Sequence, residues 1–333
     1  MHVMSEFFNI YHRFPARNQK HSRESLKYSW FLLVLLYAVL SLGTPVYALE
    51  STGQSPPSKN IAGLFSWSAE TVNKTDGELF KLMEQEGLNV LYQNISTKNS
   101  RQEQMSVFVE SAMEKGITVY YLTGDATWGL DPNGDRLCEA VEEAVAYNRR
   151  IKRKFLERRE KDGKAWEEIP QLAGIMLDVE PYTLKEWDRN PGKVMDSFVS
   201  GMKEAYALAQ DYGLEVIVCV PWYYSDKGQQ AGLEELIKNG CDSIAVMNYY
   251  RGAEVKNIAT EAELASKYGK GLITIYELQK ANGRSVKEIN TYYNSGLAAL
   301  ESSYKSVLEA YPDQTISLAY HDYKALKEVL KRE

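Results

Sequence analysis

The stretch at residues 174–182, Gly-Ile-Met-Leu-Asp-Val-Glu-Pro-Tyr, decides how the rest of the chain is interpreted. An apolar run ends in two carboxylates spaced i, i+2, and on a strand this spacing puts both side chains on one face. Pro181 ends the strand because it has no N–H to donate to a neighbouring strand. Carboxylates at the C-terminal end of a buried strand are typical of the active sites of parallel barrels. The alternative is that Asp178 caps the following loop and Glu180 points to solvent.

Outward from this stretch, short apolar runs alternate with amphipathic helical patterns. The runs predict eight strands, at 61–67, 89–95, 118–124, 173–180, 215–222, 243–250, 272–278 and 316–323. A helix is predicted after each strand, at 77–86, 101–115, 136–161, 191–212, 233–239, 262–268, 285–311 and 324–332. Runs of Val, Ile and Leu are typical of parallel strands that are buried on both faces. Eight strand–helix units match a (β/α)8 barrel, which takes ~250 residues, so we predict an α/β fold, a single-domain TIM barrel over 61–333.

A doubly wound open sheet is the competing architecture. Such a sheet usually carries a glycine-rich phosphate-binding loop directly after its first strand. The corresponding segment here, Phe65-Ser66-Trp67-Ser68, contains no glycine. The barrel is therefore the favoured fold.

The first 48 residues are typical of a targeting segment. A basic region precedes an apolar stretch at 30–42, and Val46-Tyr47-Ala48 offers small residues at positions −3 and −1 of a cleavage site. We favour a signal peptide cleaved after Ala48, with an uncleaved signal anchor as the alternative, because 30–48 approaches the roughly 20 residues that span a bilayer. Residues 49–60, rich in Ser, Pro and Gly, are a predicted linker. We expect a secreted or extracytoplasmic protein, or one tethered to a membrane through 30–48.

Composition and histidine count narrow the chemistry. The chain has 333 residues and a formal net charge of -6, which argues against nucleic acid as a partner. Three of the four histidines lie in the first 48 residues, so His321 alone remains for the domain. A zinc site built on several histidines is thereby excluded, and a Ser-His-Asp triad would depend on His321. We expect carboxylate chemistry with no cofactor and no metal, in a monomer.

The C-terminal ends of the predicted strands would form one mouth, and their residues suit a carbohydrate. Aromatic rings stack on sugar faces and acids act on glycosidic oxygens. Core packing is the more frequent role for any single Tyr, but polar and aromatic residues recur at this end of all eight strands. The candidate substrate-binding residues are Trp67, Gln93, Asp125, Tyr182, Trp222, Tyr223, Asn248, Tyr276, Glu277 and Tyr320. We expect a carbohydrate polymer or oligosaccharide as the partner.

Two motifs together resemble glycoside hydrolase family 18, the chitinase-like barrels. They are Leu-Asp-Val-Glu at 177–180 and Met-Asn-Tyr at 247–249; in that family the fourth strand ends in D-x-x-D-x-D-x-E and the sixth carries M-x-Y-D or M-N-Y. The resemblance implies that Glu180 is the general acid/base, that Asp178 orients the N-acetyl group of the substrate and that Tyr249 hydrogen-bonds its carbonyl. The sugar amide would then be the nucleophile, a substrate-assisted exception to the two-carboxylate scheme.

The sequence departs from the family pattern at three positions. The two earlier acids of the strand-four motif fall on Ala173 and Met176, and the Asp that often follows the strand-six Tyr is Tyr250. The resemblance therefore implies that Asp178 lacks the neighbouring acid that would share its proton. The motif is degenerate at a position that bears on the catalytic cycle and its pH profile.

Two alternatives stay open. In a two-carboxylate retaining glycosidase, Glu180 and Glu277 would lie roughly 5–5.5 Å apart, whereas the structural interpretation of Glu277 is that it points away and pairs with a Lys. In the other alternative, the barrel binds glycans and is catalytically inactive, since fold does not imply activity. His321 and Asp322 are adjacent on a strand and point to opposite faces, so we interpret His321 as a cleft-lining or structural residue.

Overall fold

The computed structural model describes residues 61–73, 77–95, 102–163 and 165–333. The predicted targeting segment at 1–48 and the linker at 49–60 lie outside these residues. Eight parallel strands close into a barrel in sequence order, so the predicted (β/α)8 fold is confirmed. The strands are β1 Ala62–Ser66, β2 Val90–Asn94, β3 Thr118–Thr123, β4 Gly174–Leu177, β5 Glu215–Pro221, β6 Ser243–Met247, β7 Gly271–Glu277 and β8 Ile316–His321.

Helices connect the strands and cover the outside of the barrel. They are α1 Glu78–Gln85, α2 Gln102–Glu114, α3 Asp135–Asp162, α4 Lys185–Arg189, α5 Pro191–Asp211, α6 Gln230–Asn239, α7 Glu254–Asn257, α8 Ala259–Tyr268, α9 Leu297–Ala310 and α10 Tyr323–Leu330. Short 3₁₀ turns lie at Ala69–Asn73, Ala126–Leu130, Pro181–Thr183 and Glu288–Asn290. Within the described ranges, none of the helices combines the length and the apolar composition needed to cross a bilayer.

The strands separate two hydrophobic layers because successive side chains point to opposite faces. On β4, Ile175 and Leu177 pack in the layer between strands and helices, whereas Met176 packs inside the barrel. The neighbouring β5 follows the same rule, with Val218 outside and Cys219 inside. Fully burying an aliphatic side chain of this size stabilises the fold by about 1.5–3 kcal/mol. The interior is therefore a packed core that supports the C-terminal mouth from below.

Helix α5 illustrates why the sequence folds as it does. The Asn190 side chain accepts a hydrogen bond from the Lys193 N–H (3.1 Å), and Pro191 takes the first helical position, where its fixed φ suits the helix. Buried residues such as Val194 and Phe198 recur every three to four positions and face the barrel. The helix packs against α3 and α6. It thereby fixes the segment that follows β4, where the two carboxylates lie.

The predicted strands are generally longer than the observed ones at their C-terminal ends. Strand β4 stops at Leu177, so Asp178 and Glu180 lie just beyond it and not on it. Strand β6 stops at Met247, which leaves Tyr249 in the following loop. Val179 extends the apolar run beyond the last residue of β4 that pairs with a neighbouring strand. The sequence therefore predicts a longer strand than the structure has.

The largest difference lies at 285–311, where one helix was predicted. The structure has a loop with a short 3₁₀ turn, and α9 begins only at Leu297, after Gly296 with φ 79°. Asn290 donates a hydrogen bond from Nδ2 to the Tyr249 carbonyl (2.5 Å), and the Thr291 hydroxyl donates to the Glu277 carbonyl (3.2 Å). These tertiary contacts hold the first part of the segment against the mouth and override its helical composition.

Candidate active site

A cavity of about 400 Å³ opens at the C-terminal ends of β4 to β8. This volume lies within the range of ligand-binding clefts, roughly 300–1,000 Å³. It combines carboxylates, aromatic rings and small polar groups. Its lining residues are Asp178, Glu180, Tyr182, Thr183, Pro221, Trp222, Tyr223, Met247, Tyr249, Glu277, Ser285, Val286, Asn290 and His321.

Asp178 is held at the floor of the cavity by its own backbone. Its N–H donates to the Thr123 carbonyl (2.9 Å). A Cβ added to Gly124 would lie 2.0 Å from the Asp178 carbonyl oxygen, so only glycine allows the ends of β3 and β4 to approach this closely. The Asp178 side chain points into the barrel mouth, where Oδ1 is buried without a hydrogen-bond partner among the described residues. The structure thus presents a buried acceptor to the cavity.

The surroundings of Asp178 disfavour its ionised form. Burial raises the pKa of this carboxyl to about 7, and the charge of Glu180 acts in the same direction. The imidazole of His321 and a hydrogen bond from Cys219 oppose the shift. A carboxyl with this pKa changes its charge near neutral pH, which is unusual for a residue with a purely structural role.

Glu180 lies where the chain turns after β4. Its backbone carbonyl accepts hydrogen bonds from the Thr183 N–H (3.0 Å) and hydroxyl (2.7 Å), while Pro181 occupies the first position of the turn. This turn leaves the half-buried carboxyl of Glu180 on the cavity wall. Asp178 and Glu180 therefore line the same cavity, although neither belongs to the strand.

A hydrogen-bonded chain forms the opposite wall. Glu277 and His321 are partners in the register of β7 and β8, and Glu277 Oε2 lies 3.1 Å from His321 Nδ1. The other oxygen, Oε1, accepts from the Gln279 N–H (2.7 Å). The Trp67 indole N–H donates to His321 Nε2 (3.1 Å). Glu277 was considered as a partner of a Lys, but its partner is His321, because β8 pairs in parallel with β7 and sets the two residues side by side.

Aromatic rings cover the side of the cavity next to Glu180. The ring of Tyr223 lies 5.7 Å from that of Tyr182 and 5.5 Å from that of Trp222, both edge to face. Tyr249 lies deeper, with its ring 6.2 Å from that of His321. Burial, followed by the charge of Glu277, raises the pKa of Tyr249, so its hydroxyl remains a hydrogen-bond donor. Flat apolar faces and one buried hydroxyl thus border the carboxylates.

The chain matches no protein-family model and no curated protein. Its structure is similar to solved chitinases. A family 18 chitinase from Pseudoalteromonas aurantia shares 12% identity over 82% of this chain and 100% of that chain, with a TM-score of 0.48. A class V chitinase from Nicotiana tobaccum shares 12% identity over 81% and 98%, with a TM-score of 0.48. The second catalytic domain of a Group II chitinase from Ostrinia furnacalis shares 13% identity, with a TM-score of 0.39. The match covers 66% of this chain and only 64% of the length of that chain. All three scores lie below 0.5, so the function of the site rests on its own geometry.

Two amide side chains that were predicted to bind substrate instead form hydrogen bonds within the wall of the barrel. Gln93 is fully buried and donates from Nε2 to the carbonyls of Ser66, Ser68 and Asn94. Asn248 is 2% exposed, and its amide is shared among groups behind the wall: Nδ2 donates to the Glu254 carbonyl and the Thr274 hydroxyl, and Oδ1 accepts from Asn257. Neither amide lines the cavity.

Two predicted tyrosines face the helix layer. Tyr276 is fully buried, with its hydroxyl 3.4 Å from that of Ser303 on α9. Tyr320 packs in the same outer cluster, away from the barrel interior. Both residues alternate with side chains that do reach the cavity, Glu277 and His321, so the strand pleat directs them outward.

Asp125 and Trp67 also lie outside the cavity lining. Asp125 is exposed and caps the turn at Ala126–Leu130, where it accepts from the N–H (2.9 Å) and hydroxyl (2.5 Å) of Thr127. The hydrogen bonds from the Thr127 hydroxyl and backbone lower its pKa. Trp67 reaches the site only through its hydrogen bond to His321. The position of Asp125 matches a helix cap better than a substrate contact.

The loop between β7 and α9 contributes residues that the sequence did not indicate. Ser285, Val286 and Asn290 line the cavity, although they were assigned to a helix. Asn282 shapes the loop by accepting hydrogen bonds from the N–H groups of Arg284 (2.9 Å) and Val286 (3.1 Å). The dipeptide Asn282-Gly283 is a turn signal that identifies this loop from the sequence.

Proposed function

We propose that the protein is a glycoside hydrolase that cleaves an N-acetylated polysaccharide by a substrate-assisted mechanism, with Glu180 as general acid/base. The observation that carries this proposal is the pairing of Asp178 and Glu180 in one cavity, with a buried carboxylate oxygen that has no partner among the described residues. A carboxyl with a buried, unpartnered oxygen beside a second acid in the same cavity supports two different roles for the two carboxyls.

Each residue then has a chemical task. Glu180 donates a proton to the glycosidic oxygen while the carbonyl oxygen of the N-acetyl group attacks the anomeric carbon, and the bond to the leaving sugar breaks. Asp178 accepts a hydrogen bond from the amide N–H, which acquires positive charge in this step, and Tyr249 donates to the attacking carbonyl. Water then opens the cyclic intermediate after losing a proton to Glu180, which returns to its starting state.

The rings of Tyr182, Trp222 and Tyr223 support a glycan as the ligand. Their flat faces offer the large apolar area, with polar edges, that suits pyranose rings. A contiguous aromatic wall next to the general acid orients the sugar on the side of the cleaved bond.

The two-carboxylate alternative is less well supported by the contacts of Glu277. Its two oxygens already accept hydrogen bonds from the Gln279 N–H and from His321. A nucleophile needs a lone pair directed at the anomeric carbon; each oxygen keeps a further lone pair, but these partners hold the carboxylate against the wall of the cavity. The glycan-binding alternative would leave the unpartnered Asp178 oxygen in the cavity, beside Glu180, without a catalytic role.

Cleavage assays on the purified protein test these proposals. The substrates are oligomers of N-acetylglucosamine and, as controls, plain glucan and galactan oligomers of the same length. We expect cleavage of the N-acetylated set alone, lost in Glu180→Gln and retained in part in Glu277→Gln. Loss of all activity in both variants, together with a covalent adduct on Glu277, would favour the two-carboxylate scheme. Sugar binding without cleavage of any substrate would favour a glycan-binding barrel.

Export is a separate proposal that the sequence of residues 1–48 supports. We propose secretion after cleavage at Ala48, or a membrane tether through 30–48. N-terminal sequencing of the protein recovered outside the cytoplasm tests this, since a mature N-terminus at Leu49 is expected. Recovery of the intact chain in the membrane fraction would indicate the uncleaved anchor.

A further inference from the structure

The histidine of the cavity has a defined orientation and tautomer. Its Nε2 accepts the Trp67 indole N–H (3.1 Å), which requires a lone pair on this nitrogen. The proton of the neutral ring therefore lies on Nδ1, which donates to Glu277 Oε2 (3.1 Å). The ring packs edge-on to Phe65 at 5.4 Å, and its side chain is 15% exposed. The two hydrogen bonds therefore fix both the orientation of the imidazole and the nitrogen that carries its proton.

We propose that His321, held in place by Glu277, is a positioning residue that supplies the counter-charge for ionised Asp178. This inference rests on the proposed function of Asp178 and Glu180. His321 and Asp178 line the same cavity, in which each side chain can hold or release a proton. When Asp178 releases its proton and His321 takes one up on Nε2, the total charge of the pair is unchanged. The carboxylate then faces the developing positive charge of the substrate amide.

The floor beneath Asp178 explains why a partner across the cavity is needed. The neighbouring interior residues are Met176 and Cys219, which pack in the barrel core and carry no charge at neutral pH. Burial raises the pKa of the Cys219 thiol well above its usual value, so it stays protonated. Among the described residues that line the cavity, none is Lys or Arg. His321 is therefore the one lining residue in this set whose side chain can carry a positive charge.

The groups that face His321 favour its charged form. Glu277 approaches from β7, Asp178 from the end of β4, and Asp322 is its neighbour in the chain; Tyr249 after β6 remains neutral. Burial lowers the pKa of His321, but the hydrogen bond and charge of Glu277, with the charges of Asp322 and Asp178, outweigh burial and raise the pKa above its ordinary value. Protonation at Nε2 would place two N–H donors against each other, so the Trp67 hydrogen bond opposes it.

The first test follows the imidazole directly and does not depend on catalysis. The full chain carrying His2→Gln, His12→Gln and His21→Gln has His321 as its sole histidine, so its ¹⁵N ring signals are unambiguous. We expect the pKa of His321 to shift down in Asp178→Asn and in Glu277→Gln. It should shift up in Trp67→Phe, which removes the donor that favours the neutral ring. Glu215→Gln, at the other end of the barrel, is the control and should leave it unchanged.

The outcomes separate this inference from the proposed function. An unchanged His321 pKa in Asp178→Asn would overturn the coupling, whether or not the enzyme cleaves glycans. A shift in the absence of any cleavage would support the coupling and contradict the proposed function alone.

The second test uses the pH dependence of kcat/KM. His321→Gln removes the counter-charge and keeps a polar side chain, so the acidic limb of the profile should move to higher pH. Each unit of displacement lowers the rate on the acidic side about tenfold. Trp67→Phe should move the limb in the opposite direction. A uniform loss at every pH in His321→Gln, with no displacement of the limb, would mean that His321 only supports the wall.

Discussion

The two ends of the barrel both hold cavities, and they differ in how their polar groups are paired. The cavity at the N-terminal ends of the strands is the larger, about 640 Å³ against about 400 Å³ at the C-terminal ends. At the N-terminal end, Glu215 accepts from the Tyr120 hydroxyl, Lys270 donates to the Cys241 carbonyl (2.6 Å) and Asn89 accepts from the Ala62 N–H (3.0 Å). At the C-terminal end, one oxygen of Asp178 has no hydrogen-bond partner among the residues that the structure describes, and the pKa of this carboxyl is raised. An unpartnered acid that lines a cavity beside a second carboxyl distinguishes the C-terminal end, whereas cavity volume alone does not.

The strongest test of this comparison replaces one glutamate at each end. Glu180→Gln removes the proposed proton donor while it preserves shape, and we expect kcat to fall about 10²–10⁴-fold with glycan affinity retained. Glu215→Gln is the matched substitution at the N-terminal end. It weakens the hydrogen bond with Tyr120 and should lower the free energy of unfolding by about 0.5–1.5 kcal/mol, with kcat unchanged. Steady-state kinetics, equilibrium sugar binding and urea unfolding measure these effects.

The opposite pattern would break the comparison. If Glu215→Gln reduced turnover as strongly as Glu180→Gln at equal stability, the N-terminal cavity would take part in the reaction. If neither variant changed kcat, the acid would have to be sought elsewhere in the C-terminal mouth, beginning with Glu277.

The next largest effect concerns the pH dependence of stability. The pKa of Asp178 rises from 3.8 to about 7 on folding, so between these values the folded state holds a proton that the unfolded state has released. Stability therefore falls as pH rises from about 4 to about 7. At about 1.4 kcal/mol per pKa unit, the loss approaches roughly 4 kcal/mol. Asp178→Asn cannot ionise, so it should be more stable than the wild type at pH 8 while its activity is lost.

Urea unfolding of both proteins at pH 4 to 8 checks this expectation. His321 adds a slope of the same sign above its ordinary pKa of 6.5, and Asp178→Asn also removes a charge that raises the pKa of His321. The two proteins are therefore compared between pH 4 and about 6, where the change is expected to come mainly from Asp178. If the free energy of unfolding changed with pH in the same way in both proteins, Asp178 would be ionised in the folded protein from pH 4 to 8. The raised pKa of Asp178 would then no longer distinguish the C-terminal end of the barrel.

The barrel was predictable from the sequence because its signal is local. Apolar runs such as that of β5 recur between amphipathic helices, and this alternation implies a parallel sheet. Eight such units without a glycine-rich loop after the first strand favour the barrel over an open sheet. Glu180 and Asp178 were predictable for the same reason, since both follow directly on such a run. The order of the strands then brings their ends into one mouth without any information from distant contacts.

The direction of individual side chains was less predictable. The pairs 248–249, 276–277 and 320–321 follow one another along the chain, and the structure turns only one member of each pair into the cavity. The alternation of strand side chains accounts for this. Which member of each pair faces the cavity, however, depends on how the strand packs against distant helices. The hydrogen bond between Glu277 and His321 depends on the pairing of β7 with β8, which places residues 44 positions apart in register.

A smaller effect is expected from an equal steric change at each end. A Cβ at Gly124 would lie 2.0 Å from the Asp178 carbonyl oxygen, and a Cβ at Gly174 would lie 2.0 Å from that of Glu215. Gly124→Ala and Gly174→Ala should each lower the free energy of unfolding by about 1–3 kcal/mol, because the backbone must move. Only Gly124→Ala displaces the carboxyl pair, so it alone should lower kcat, by up to about 10²-fold.

Thermal unfolding and kinetics on the same preparations measure both quantities. Equal losses of kcat in the two alanine variants, at temperatures where both remain folded, would show that the site responds to general loosening of the barrel. The geometry of the β3–β4 junction would then have no special part in catalysis.

The smallest expected effect concerns the mouth itself, where a polar residue need not belong to the site. Asp125 caps the turn after β3 and Asn190 caps α5, each by accepting a backbone N–H. Asp125→Ala and Asn190→Ala should both lower the free energy of unfolding by about 1 kcal/mol, since each leaves that N–H without its partner. Glycan affinity and kcat should be the same in both variants as in the wild type. A loss of affinity in Asp125→Ala alone would extend the binding surface beyond the cavity to the end of β3, and would restore Asp125 to the substrate contacts that the sequence suggested.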